Sequence, residues 1–161
     1  MTTPKVILAS IRTAHAMLDE LAGVKSDERA LVLSLAIAGQ ESTWAHRLQV
    51  GGPARSYWQF EKGGGVAGVL NHPASATRIK ALCKAIDASC DIATVYEAMA
   101  WHDVLGAAMA RLLLFTDPAA LPAVGAVDDG WRYYLRNWRP GAPHPDVWPD
   151  CYRVAMQTVA G

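Results

Sequence analysis

Two glutamates carry the side chains whose type and surroundings suit chemistry. Glu41 follows the apolar run ALVLSLAIAG at positions 30–39 and precedes Trp44, and Glu61 stands twenty residues later, closing the aromatic stretch SYWQFE. Breaking a glycosidic bond takes a proton donor for the leaving oxygen and a second group, commonly a carboxylate, to stabilise or attack the positive sugar carbon. A carboxyl lying against apolar surface has its neutral form favoured, which suits Glu41 to the donor's role. Glu61, beyond a Gly/Pro-rich loop, is the candidate second carboxylate. A separation of about 5 Å between the two would predict retention at the sugar carbon, and roughly 6.5 to 9.5 Å inversion.

Flat apolar faces for sugar stacking are supplied by Trp44, Tyr57, Trp58, Trp131, Tyr133, Tyr134 and Trp138. An aromatic at helical spacing more often fills a core, so Tyr57 and Trp58, which fall in the loop, are the better sugar-contact candidates. Arg47 and Arg55 flank that loop and would either reach acidic groups on a glycan or form surface ion pairs. Other chemistries lack their signatures. None of His15, His46, His72, His102 and His144 pairs at the i, i+4 spacing of a helical zinc motif, and Cys83, Cys90 and Cys151 form no CxxC. The glycine-rich run at 63–68 lacks the Lys and Ser/Thr of a phosphate-binding loop, and reads as flexible loop or helix entry. No metal or cofactor is implied.

The elements that must position these residues read as helices. Positions 4–22 place Ile7, Ile11, Leu18 and Leu21 at helical spacing and end at Gly23. Ser26 would cap a second helix carrying Asp27 and Glu28 in its first turn, favourable at the positive end of the helix dipole. That helix is apolar nearly all round, the mark of a buried central helix, and it delivers Gln40, Glu41 and Ser42 at its end. From 47 to 68 the glycines, Pro53 and the SYWQF stretch predict a loop or small hairpin. Helical patterning resumes over 75–87, 92–101, 103–116, 128–138 and 146–160, punctuated by prolines.

A chain of 161 residues suits one domain, 1–161, with its own core. Its 52% hydrophobic and 19% charged content predicts compact folding rather than disorder. Fifteen basic residues balance fifteen acidic ones, which disfavours nucleic acid as a partner. No apolar run approaches the roughly 18 residues of a membrane span, and no secretory signal is read at the N-terminus. A Cys83–Cys90 bridge is sterically possible, and three idle thiols are the simpler expectation.

The order apolar helix, Glu41-Ser42-x-Trp44, then Gly51-Gly52-Pro53-Ala54-Arg55-Ser56-Tyr57-Trp58-Gln59 resembles the lysozyme-like superfamily, particularly lytic transglycosylases and phage-encoded muramidases. There a helix ends in a Glu-Ser pair followed by an aromatic residue, and a glycine-rich segment ending in Met-Gln lines the cleft. Gln59 stands at the motif glutamine, behind Tyr57-Trp58 where transglycosylases carry Leu-Met. Tyr134 and Asn137, in YYLRNWRPG, resemble the family's sugar-contacting Tyr-Asn segment. The stretch is also similar to plant-type chitinases, in which two glutamates act as acid and base, Glu61 being the base. The resemblance implies a mainly α, lysozyme-like domain cleaving the β-1,4 bond between N-acetylmuramic acid and N-acetylglucosamine, with Ser42, Trp44, Arg47, Arg55 and Gln59 among its substrate-binding residues. It also implies peptidoglycan strands as partner, and cytoplasmic synthesis followed by delivery to the wall through a holin-type pore or a phage virion. A chitinase-like hydrolase, a non-catalytic peptidoglycan-binding module and a virion structural module are the alternatives.

Overall fold

In a computed structural model, which describes residues 3–161, the chain is all-α. Eight α-helices are described: α1 (Pro4–Ala22), α2 (Glu28–Ser42), α3 (Ala67–Asn71), α4 (Ala76–Ala85), α5 (Ile92–Ala98), α6 (Asp103–Phe115), α7 (Val127–Trp138) and α8 (Trp148–Ala160). Amphipathic spacing builds α1, which buries Ile7, Leu8, Ile11, Ala14, His15 and Leu18 on one face. Pro4 opens the helix, where a missing N–H costs nothing, and Gly23 closes it in the left-handed region at φ 66°.

The centre of the fold is α2. Every residue from Val32 to Gln40 is buried, and α8 packs most extensively on it while α1 lies mainly against α6. Its cap is Asp27, whose Oδ1 accepts from the Ala30 N–H at 3.4 Å, rather than Ser26. Ser26 is drawn elsewhere: its hydroxyl accepts from Arg111 Nε at 2.9 Å.

Two segments left between alternatives are decided, and one helix end is corrected. Of the loop or small hairpin expected over 47–68, the loop is observed, with only the isolated bridges Leu48 with Arg55 and Arg55 with Phe60, and two indoles bond it to α2. Of the two readings of the glycine run, flexible loop or helix entry, the structure takes the second: a wide turn at Lys62–Val66 feeds α3, with Val66 and Val69 fully buried on the core. The helix expected to reach 101 stops at Ala98. Cys83, Cys90 and Cys151 are free thiols. Among the described residues, no helix is long and apolar enough to cross a membrane.

Candidate active site

The last turn of α2 sets Gln40, Glu41 and Ser42 in three different directions. Ser42 is buried, its hydroxyl donating to the Ala38 carbonyl at 2.8 Å, while half-buried Glu41 faces a cleft of about 770 Å³. Four chain segments build the rest of that cleft. Gln49, Ala54, Gln59, Phe60 and Glu61 come from the irregular segment, and Gly64, Gly65, Gly68 and His72 from the turn and α3. Leu113 and Thr116 end α6, and Tyr134 leads a wall that runs from Arg136 to Ala142 and on to His144. A concavity of this size takes a ligand of several sugar or residue units.

Glu41 is the most strongly perturbed carboxyl lining it. Burial pushes its pKa from 4.5 up to about 7, against the opposing effect of the Tyr134 hydroxyl, which donates to Oε1 at 2.6 Å. Burial wins because the hydroxyl offers a single hydrogen bond, whereas desolvation acts on the whole charged group. The Tyr134 hydroxyl is itself pushed far up by burial and then by Glu41, so it remains a donor throughout the physiological range. Its ring is only 1% exposed and stacks on Trp148 at 5.5 Å and 11°, with Trp131 centred 5.3 Å away. Glu41 is therefore met by a donor with almost no rotational freedom.

The irregular segment is clamped to α2 by two indoles. Trp44 Nε1 donates to the Leu35 carbonyl at 2.9 Å and Trp58 Nε1 to the Ser34 carbonyl at 2.8 Å. Gly39 makes room for the first: a Cβ there would lie 2.3 Å from the Trp44 ring. Trp138 adds a third clamp, its Nε1 donating to the Trp58 carbonyl at 3.0 Å, so the two cleft walls are joined.

These contacts correct several expected sugar contacts. Tyr57 and Trp58 have no exposed surface and belong to the core, and Trp44 and Ser42 are spent on holding the end of α2. Arg47 grips Asp103 with two hydrogen bonds of 2.7 Å and lies over the Tyr57 ring, tying the loop to the start of α6. Arg55 lies 4.5 Å over the Tyr96 ring and 3.4 Å from Glu97. Neither arginine lines the cleft. Tyr134 meets Glu41 through its hydroxyl rather than offering a face, and Asn137 spends its amide on Asp117 and the Tyr133 carbonyl while still lining the cleft. Gln59 lines the cleft as well, its amide donating to the Ser56 carbonyl at 2.8 Å. Glu61 is exposed on the same cleft.

Two features escaped the sequence. The wall from Arg136 to His144 is latched to the end of α2 by Gln40, whose Nε2 donates to the His144 carbonyl at 3.1 Å; that bond fixes the amide orientation and leaves Oε1 buried with no partner among the described residues. Backbone strain also gathers here. Of six described non-glycine residues at positive φ, Thr43, Trp44, Ser56, Gln59 and Arg139 lie on the segments that follow Glu41 and α7, with only Asp87 elsewhere. Such conformations persist where surrounding contacts enforce them and concentrate at functional sites.

The arrangement offers a proton donor poised near neutral pH, a solvated second carboxylate and an extended groove. Among the described residues no group of three or more His, Cys, Asp or Glu side chains converges on a metal-sized site. Comparison with family models, with curated proteins and with solved structures finds no match to this chain.

Proposed function

We propose that this chain is a peptidoglycan-cleaving glycosidase, a muramidase or lytic transglycosylase, in which Glu41 is the general acid at the β-1,4 bond between N-acetylmuramic acid and N-acetylglucosamine. The observation that carries the reading is the Glu41 carboxyl, reachable from the cleft yet buried enough to hold its proton up to about pH 7. A carboxylate with an ordinary pKa would be ionised at that pH and have no proton to give.

In this mechanism Glu41 transfers its proton to the bridging oxygen as the bond from that oxygen to the muramyl C1 breaks. Positive charge develops on C1, and the leaving sugar departs with a neutral hydroxyl. Tyr134, donating to Oε1, steadies the carboxylate that forms and keeps it aimed at the bond. Water adding to C1 gives a reducing end; attack by the muramyl 6-hydroxyl gives an anhydro end. In either case the attacking oxygen's proton returns to a carboxylate, regenerating the acid. Glu61 lines the same cleft, which supports a role in assisting the water and equally supports the second reading, a chitinase-like hydrolase with Glu61 as base.

Delivery to the wall by a holin-type pore or as part of a virion belongs to this proposal. Digestion of purified peptidoglycan and of chitin oligomers side by side tests it: soluble muropeptides support the first reading, release from chitin alone the second, and no release from either removes both.

A further inference from the structure

The walls of the cleft contain two full cations, Arg136 and Arg139, and they differ in their commitments. Arg136 pairs with Asp117 at 2.6 Å and covers the Tyr133 ring. Arg139 has no side-chain hydrogen bond, ion pair or ring contact among the described residues, although its exposed side chain belongs to the cleft wall. Its backbone is equally unusual. It ends α7 in the left-handed region, φ 49° and ψ 52°, where glycine or asparagine is the normal occupant, and Pro140 follows at once. The wall it begins is held at both ends, by the Trp138 indole on the Trp58 carbonyl and by Gln40 on the His144 carbonyl. A free guanidinium is thus displayed, on strained but anchored backbone, in the groove that holds Glu41.

We propose that Arg139 is the anchor for an anionic group of the substrate, the lactyl carboxylate of N-acetylmuramic acid or the acidic peptide that extends from it, and so sets preference for peptidoglycan over chitin. This rests on the glycosidase reading of the same cleft and assigns to Arg139 the task that the sequence suggests for Arg47 and Arg55. The chemistry follows from the two polymers. Chitin strands are uncharged, whereas each muramyl unit carries a carboxyl-bearing ether. A planar guanidinium binds a carboxylate through paired hydrogen bonds, and since Arg139 forms no ion pair among the described residues it gives up no partner to do so.

The test separates binding from turnover. Glu41→Gln, Glu41→Gln/Arg139→Gly and Glu41→Gln/Arg139→Lys are titrated by calorimetry with a muramyl-containing oligomer bearing free lactyl carboxylates and with an N-acetylglucosamine oligomer of equal length. Glycine suits the backbone conformation, so that variant should fold, and its melting temperature verifies this. The parent should favour the charged oligomer by about tenfold, the glycine variant should lose that preference, and lysine should restore part of it. An unchanged ratio in the glycine variant overturns the proposal, as does an equal loss for both oligomers or no binding of either by the parent. If the ratio behaves as expected while the unmodified protein cleaves nothing, Arg139's role stands and the glycosidase reading falls.

Discussion

The Tyr134 hydroxyl donates to Glu41 Oε1 at 2.6 Å across 93 residues of sequence, within a stack of aromatic rings that fixes its direction. Because the bond favours the ionised carboxylate, it restrains the rise in pKa that burial imposes on Glu41. Turnover requiring the protonated acid should fall about tenfold per pH unit above roughly pH 7. Tyr134→Phe removes the restraint, so the alkaline limb of the rate profile should move to higher pH; a limb that moves lower would contradict this account of the pair. The profile is read from the rate of soluble-fragment release between pH 5 and pH 9.

Stability should carry the same signature. The folded-state pKa of Glu41, about 7, lies above its ordinary 4.5. The fold therefore bears no ionisation penalty below pH 4.5, and the penalty grows until it is complete above pH 7, at up to about 3 kcal/mol. Glu41→Gln keeps an acceptor for Tyr134 and carries no charge. It should match the unmodified protein near pH 4 and exceed it in urea unfolding at pH 9.

His15 works in the opposite sense. It is buried, neither ring nitrogen has a partner among the described residues, and burial followed by the Arg111 charge lowers its pKa from 6.5 to about 3. Stability from this group is fully present above pH 6.5 and is lost as pH falls toward 3, at about 1.4 kcal/mol per unit. Between pH 4.5 and 6.5 Glu41 offsets part of that loss. Below 4.5 His15 is unopposed by Glu41, and His15→Leu should flatten the acid limb of unfolding free energy against pH. A limb of unchanged slope would show that His15 is not the cause.

Gly39 is the seat of Trp44, and any side chain there meets the indole. Gly39→Ala should cost about 1 to 3 kcal/mol by overpacking and disturb the end of α2 that presents Glu41. Thermal unfolding together with near-ultraviolet circular dichroism would report both; an unaffected Trp signal would contradict the seating.

Local pattern made part of this legible. A helix apolar all round had to be central, and a glutamate at its end had to emerge beside the core, so α2 and Glu41 could be read from consecutive residues. Tyr57 and Trp58 could not, since lying in a loop suggested exposure, whereas both are fully buried and Trp58 bonds to the Ser34 carbonyl of α2, 24 residues earlier. Arg47 stood undecided between a glycan contact and an ion pair because its partner, Asp103, is 56 residues away. Arg139 drew no notice because what distinguishes it is a positive φ and the lack of a partner, and neither leaves a mark in composition or spacing. The glycine run left loop and helix entry open, since glycine disfavours helix, and burial of Val66 and Val69 decides for helix entry.

The most direct test of the central claim is digestion of purified peptidoglycan by the unmodified protein and by Glu41→Gln, with released fragments identified by mass spectrometry. The account predicts muropeptides with reducing or anhydro ends from the unmodified protein, and at least a hundredfold less from the variant, the loss expected when a general acid is removed. Equal release by the two proteins, or none by the unmodified one, would contradict it.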